Sequence, residues 1–301
     1  MSKDIYLPPP KRFKTTRSSL ALAKTIADEL GMEMDEAENI ARVENYYDDM
    51  YRDILKMLEL GDDIADLHSG NYSTSQIFAA RTSDGKDVVV FDMVFDFCIY
   101  YLCLLITIQA TFKLEAEELQ QLIEDVSVLM HILKNPNQFK VQRERMQHYN
   151  VKYPKALMLS HPIGRTMTIF MLCHEIAHCT LGHVSKTSDK QHEFDADMKA
   201  SEYFARIVDK GALNKETFAY IDPKITFSPL FLFQIFDVYE HWLSMTGYQN
   251  THDSHPPAQL RMKHVEPFFS NIMNEQSNEL HQGLTKTIID TKTFLTRLLD
   301  A

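Results

Sequence analysis

The sequence predicts a mainly α protein of the α+β class, with one small β-sheet among its helices. Two observations support this. Apolar residues recur with helical spacing in several segments of the 301-residue chain, and two β-prone runs flank a glycine-containing turn. With 45% apolar and 24% charged residues, the composition is that of a globular protein that can bury a sizeable core.

The first third of the chain is predicted to be helical. Helical patterns run from about Ser18 to Leu30 and from about Asp35 to Leu60, and Gly31 and Gly61 supply the C-terminal stops. The runs QIFAAR and DVVVFD then flank a turn at residues 82–86. That pattern predicts a β-hairpin.

An uncharged apolar stretch, Phe97 to Phe112, follows the hairpin between Asp96 and Lys113. It is shorter than the ~20 residues that a membrane-spanning helix needs, and polar residues such as Gln109 dilute its C-terminal end. We therefore expect a buried central helix and no transmembrane span. Peripheral contact with a membrane stays open as an alternative.

A predicted domain boundary follows the next helix, which runs from about Ala116 to Leu133. The polar segment NQFKVQRERMQHYN, residues 137–150, is interpreted as a connector. It would separate a helical N-terminal region with a hairpin, residues 1–150, from a second domain, residues 151–301. The N-terminal region is a candidate for binding a substrate or a trigger.

The second half of the chain is predicted to begin with a short β-like run from Ala156 to Leu159. Helices are then expected over Arg165–Val184, His192–Asp209 and Leu230–Met245, from Pro256 onwards, and in an amphipathic C-terminal tail.

Charge and composition bear on partners and location. The formal net charge of -11 would repel a phosphate backbone, and the short basic patch at residues 11–17 is too small to reverse that field, so no nucleic acid partner is expected. The first residues do not resemble a secretory signal, and four cysteines do not form a disulfide framework. We expect a cytoplasmic protein with reduced cysteines, and the sequence leaves its oligomeric state open.

The chain contains an HExxH motif, His174-Glu175-Ile176-Ala177-His178, within a predicted helix. Residues four apart lie on one helix face, so both imidazoles can bind one metal ion while Glu175 acts as the catalytic base. A short motif also occurs by chance, so a second element is needed.

The second element is Glu193-Phe194-Asp195-Ala196-Asp197, fifteen residues beyond His178. Catalytic zinc is commonly held by two histidines and one carboxylate with a fourth position open, and Glu193 completes that set. Asp197, four residues further on, is expected to accept a hydrogen bond from a ligand histidine and so to fix its tautomer. The sequence thus predicts one Zn²⁺ per chain, although related sites accept other divalent ions.

Three nearby polar residues are interpreted otherwise. His183 lies nine residues after His174, about half a turn away around the helix, so it is expected to pack or to support a ligand. His192 is interpreted as a surface residue, and Asp195 as a capping or solvated residue.

A donor for the oxyanion is sought at Asp253-Ser254-His255-Pro256-Pro257, followed by Arg261, where His255 is the candidate and a nearby tyrosine the alternative.

The order HEIAHCTLGH, EFDAD, SHPPAQLR resembles the gluzincin-type peptidases, including the HtpX-like and ImmA/IrrE-type proteins. Together with the hairpin and the aromatic apolar helix before the motif, it is most similar to the phage-exclusion proteases of the Lit type. The similarity is concentrated between Phe170 and Arg261. It implies that residues 151–301 form a zincin-like metallopeptidase domain, with zinc ligands at His174, His178 and Glu193 and with His255 near the substrate carbonyl.

The resemblance also implies a function: an antiviral defence metalloprotease that hydrolyses a protein substrate, with translation factor Tu as the candidate. The N-terminal third carries no motif that identifies the trigger or the substrate. Two alternatives stay open. One is a zincin-fold regulatory or binding protein with zinc in a non-hydrolytic role, and the other is a helical interaction protein with a chance HExxH.

Overall fold

The computed structural model describes residues 34–70, 76–136, 139–186, 189–211, 219–247 and 255–300. The predicted helix from Ser18 to Leu30 lies outside them. Within them the protein is mainly helical with one three-stranded sheet, as the sequence predicted. The elements are α1 Met34–Leu58, β1 Asp66–Gly70, β2 Ile77–Arg81, β3 Asp87–Asp92, α2 Met93–Thr111, α3 Ala116–Lys134, α4 Phe139–Lys152, α5 Pro154–Thr180, α6 Lys190–Gly211, α7 Ser228–Met245, α8 Ala258–Ile272 and α9 Glu275–Asp300.

The sheet has the order β1-β3-β2, with β3 in the centre. The predicted hairpin is confirmed: β2 and β3 are antiparallel, and the Thr82 N–H donates to the Lys86 carbonyl at 2.8 Å across the turn. Gly85 in that turn has a φ of 83°, a conformation that glycine adopts without steric cost. Strand β1, parallel to β3, was not predicted.

Helix α2 is the central helix that the apolar stretch predicted. Most of its 19 residues are buried, and α3, α5, α7 and α9 pack around it. At Gly164 of α5, an added Cβ would lie 3.3 Å from the Tyr100 ring of α2, so this glycine allows the two helices to approach closely. Among the described residues α2 is the one helix long and apolar enough to cross a membrane.

The predicted connector at residues 137–150 is wrong, because residues 139–150 lie in helix α4. Only a narrow stripe of the described part of α4 is buried, notably Met146 and Tyr149, so no broad apolar periodicity marks the helix. Polar contacts attach it to α3: the Tyr149 hydroxyl donates to Asp125 at 2.6 Å, and Arg145 forms an ion pair with the same buried carboxylate.

The predicted β-like run from Ala156 to Leu159 is also wrong, since α5 begins at Pro154, eleven residues before the predicted helix start. Proline is favoured in the first turn of a helix, and alanine, leucine and methionine are strong helix formers. The buried apolar residues form one cluster with members on both sides of residue 150. The division into regions 1–150 and 151–301 stays a prediction.

Candidate metal centre

Helix α5 carries the HExxH motif near its C-terminal end and stops two residues after it. The Gly182 N–H bonds to the Cys179 carbonyl at 3.0 Å, and the His183 N–H bonds to the His178 carbonyl at 2.9 Å. Gly182 has a φ of 65°. This is a Schellman motif, in which a left-handed glycine satisfies the last carbonyls of the helix. The turn also returns the chain so that His183 lies against His178.

His174, His178 and Glu193 lie together as predicted, and their ligand atoms fall within 4.8 Å of one another. The two Nε2 atoms are 3.0 Å apart, and Glu193 places Oε2 3.5 Å from His174 Nε2 and Oε1 3.4 Å from His178 Nε2. Ligand atoms at about 2.1 Å from a tetrahedral ion are about 3.4 Å apart, so these separations suit one small ion. The buried Glu193 Oε2 has no hydrogen-bond partner within the described structure, as expected of a metal ligand. The three residues therefore could bind a metal ion.

Asp197 is fully buried one helical turn beyond Glu193, and its Oδ1 lies 3.0 Å from His174 Nδ1. This is the position that the sequence predicted for it. Burial by itself lowers the pKa of His174, but the contacts with Asp197 and Glu193 outweigh burial and raise that pKa to about 10. In the metal-free protein the two carboxylates therefore hold His174 in an environment that favours positive charge.

Arg261 faces both carboxylates from the first turn of α8. Its Nε and Nη2 atoms donate to Asp197 at 2.8 and 2.7 Å, and its Nη1 lies 3.4 Å from Glu193 Oε2. Burial raises the pKa of Asp197, but Arg261 and His174 reverse that effect and hold the pKa below its usual value. The sequence showed an arginine after SHPP but not this contact, because Arg261 and Asp197 are 64 positions apart.

Glu175 is buried beside the three candidate ligands, and burial raises the pKa of its carboxyl group. The Ala79 N–H on β2 faces this carboxylate and partly offsets the rise in its pKa. The Thr82–Lys86 and Gln76–Asp92 backbone bonds fix which β2 residues form hydrogen bonds with β3. Ala79 lies opposite Val89 at a non-hydrogen-bonded position, so its N–H and C=O point to the outer edge of the strand. The base position thus lies beside a strand edge that pairs with no other strand among the described residues.

His183 contacts the candidate ligand His178, in agreement with one of the two roles predicted for His183. Its Nδ1 lies 3.2 Å from His178 Nδ1, on the side of the ring opposite to the metal position. Burial, followed by the neighbouring His178 and His192, lowers the pKa of His183 to about 4, which favours the neutral ring. His192 stacks on His183 with centroids 4.3 Å apart. His192 is therefore a partly exposed residue, and one face of its ring packs against His183.

His255 lies next to the centre but outside the cluster. Its side chain is 55% exposed, and Nε2 is 3.7 Å from Glu193 Oε1. As predicted, a helix begins just after Pro257, and the Ala258 N–H donates to the Glu240 carboxylate of α7 at 3.0 Å. Residues 253 and 254 lie outside the described structure. Asp195 is exposed and accepts a hydrogen bond from Gln191 at 2.8 Å, in agreement with a solvated role.

Comparison of the chain with models of known protein families, with curated proteins and with solved structures finds no match in any of the three. The assignment of the centre therefore depends on its residues and their geometry.

Proposed function

We propose that the protein is a zinc-dependent endopeptidase that hydrolyses a peptide bond in a protein substrate. The observation that carries the proposal is the buried carboxylate of Glu175 beside His174, His178 and Glu193. A site with three protein ligands leaves one position open, whereas structural zinc is normally closed by four protein ligands. A base next to an open position is what hydrolysis needs.

Zinc bound to the three ligands would polarise the scissile carbonyl and make water more acidic. Glu175 would take the proton from the attacking water and deliver it to the leaving amine. A raised pKa suits this exchange, because a general base works best when its pKa is near the working pH. The Ala79 N–H on β2 faces the Glu175 carboxylate and favours its ionised form, the form that accepts a proton.

The outer edge of β2 offers a way to hold the substrate. Ile77, Ala79 and Arg81 direct backbone groups towards that edge, so an extended peptide can add to it as a further antiparallel or parallel strand. The bond to be cut would then lie close to Glu175. His255, with over half of its side chain exposed, is the proposed hydrogen-bond donor to the developing oxyanion, and a tyrosine remains the alternative.

The biological role is proposed from the resemblance to Lit-type proteases alone. It would be phage exclusion in the cytoplasm, with translation factor Tu as the candidate substrate and a phage component as the trigger. The alternative, a regulatory protein with a zincin fold, predicts zinc binding without cleavage.

The test compares wild type with Glu175→Gln and with Glu202→Gln, an exposed control on α6 that pairs with Lys199. Each protein is assayed for zinc content and is incubated with translation factor Tu and with a bacterial lysate, with and without phage components. We expect all three to bind zinc, and wild type and the control to produce one discrete fragment that Glu175→Gln does not. Cleavage by Glu175→Gln would contradict the base assignment. Zinc in every protein with no cleavage would contradict the peptidase and support the regulatory alternative.

A further inference from the structure

Arg261 is buried at the centre, yet it is not one of the candidate ligands. Only 12% of its side chain is exposed, and its guanidinium carbon lies 5.3 Å from the centroid of the Phe233 ring on α7. The cationic group thus lies over the face of an aromatic ring, a contact that is electrostatically attractive. The side chain is held from outside the metal cluster.

The contacts of Arg261 go to the two acidic residues of α6. Nε and Nη2 form a two-point contact with Asp197, and Nη1 approaches Glu193. Two ionised carboxylates one helical turn apart repel each other, and burial makes each charge costly unless a cation pairs with it. Arg261 is a cation that contacts both, so it offsets their repulsion and lowers the cost of burying them side by side.

The two-point contact also fixes direction. A carboxylate held by the planar fork of an arginine cannot rotate freely, and the Asp197 oxygen bound by Nη2 is the same Oδ1 that lies 3.0 Å from His174 Nδ1. The orientation of the His174 ring therefore depends on Asp197, and that of Asp197 depends on Arg261. A lysine would supply the charge but not the fork.

These contacts exclude a direct role for Arg261 on substrate. Asp197 accepts from both Nε and Nη2, Nη2 also lies 3.5 Å from His174 Nε2, and little of the guanidinium is open to solvent. We propose that Arg261 is a positioning residue: it orients Asp197, and through it His174, and it holds Glu193 for the metal. This inference rests on the metal site of the proposed function but not on proteolysis.

The test measures zinc affinity by competition with a chromogenic chelator, in the absence of any substrate. Removal of a residue that orients a metal ligand typically lowers metal affinity by about 10- to 100-fold, and we expect a loss of that size for Arg261→Lys. The control is Arg206→Lys on α6, which removes an arginine that contacts Leu58 and Glu59 away from the centre, and it should bind zinc as wild type does.

A second variant tests the route through Asp197. Asp197→Asn should also lower zinc affinity by about 10- to 100-fold. In the double variant with Arg261→Lys, the loss of zinc affinity should be clearly less than the product of the two single losses, because both residues act on one histidine. If Arg261→Lys is recovered unfolded by circular dichroism, Asp197→Asn carries the test by itself. Wild-type zinc affinity in the folded variants would overturn the positioning role, whether or not the wild type cleaves a substrate. Absence of zinc binding by wild type would overturn both proposals.

Discussion

Gly182 ends the helix that carries the HExxH motif, and its substitution by alanine isolates the energy of that turn. The glycine has a φ of 65°, in the left-handed region. An added Cβ would meet nothing within 4 Å, so the substitution introduces no collision. The cost is therefore conformational alone.

An L-residue in the left-handed conformation costs about 1–2 kcal/mol, and the lower entropy of unfolded alanine returns about 0.4–1 kcal/mol. We expect Gly182→Ala to lower the free energy of unfolding by about 1 kcal/mol. Gly283→Ala is the matched control, because Gly283 lies inside α9 and a Cβ there also meets nothing within 4 Å. In a helix interior alanine is better than glycine by about 1 kcal/mol, so the control should be stabilised.

The assay is equilibrium unfolding in urea, followed by circular dichroism. The two Gly→Ala variants should shift the midpoint in opposite directions at an unchanged slope, because neither alters the surface exposed on unfolding. A Gly182→Ala protein as stable as wild type, or one stabilised like Gly283→Ala, would refute the Schellman assignment at the end of α5.

Two further predictions concern the core. His281 stacks on Phe227, its buried Nε2 has no hydrogen-bond partner in the described structure, and burial lowers its pKa. As the pH falls below ~6.5, the unfolded chain therefore binds a proton at His281 more readily than the folded protein does, and wild type loses stability. His281→Phe should lose less stability than wild type between pH 7 and 5. An equal loss of stability in the two proteins over this range would contradict the prediction. Trp242 is fully buried and its Nε1 donates to Ser127 at 3.3 Å. In urea titrations, Trp242→Ala should lower the free energy of unfolding by about 3–5 kcal/mol and Ser127→Ala by about 1 kcal/mol. Equal effects of the two substitutions would contradict the expectation that Trp242 stabilises the fold mainly through the burial of its ring.

The elements that the sequence predicted well are those whose side chains carry a local periodic signal. The hairpin of β2 and β3 and the apolar helix α2 are of this kind. Strand β1, with the sequence DLHSG, was missed because parallel pairing with β3 is made by backbone groups that are present in every residue. Helix α4 was missed for a related reason: its attachment to α3 runs through polar contacts with one buried aspartate.

The same distinction applies to the centre. His174 and His178 are four residues apart on one helix, and Glu193 follows on the next helix, so spacing alone brings them into consideration. Arg261 reaches the centre only through the packing of α8 against α6 and α7, and no local pattern encodes that packing. The half-burial of His192 depends in the same way on its stacking against His183.

We propose that His174, His178 and Glu193 form one zinc site. The most direct measurement is the zinc content of wild type and of His178→Ala after dialysis against a weak chelator, by elemental analysis. We expect about one zinc ion per wild-type chain and almost none in the variant, with both proteins folded. No zinc in wild type, or equal zinc in both proteins, would contradict it.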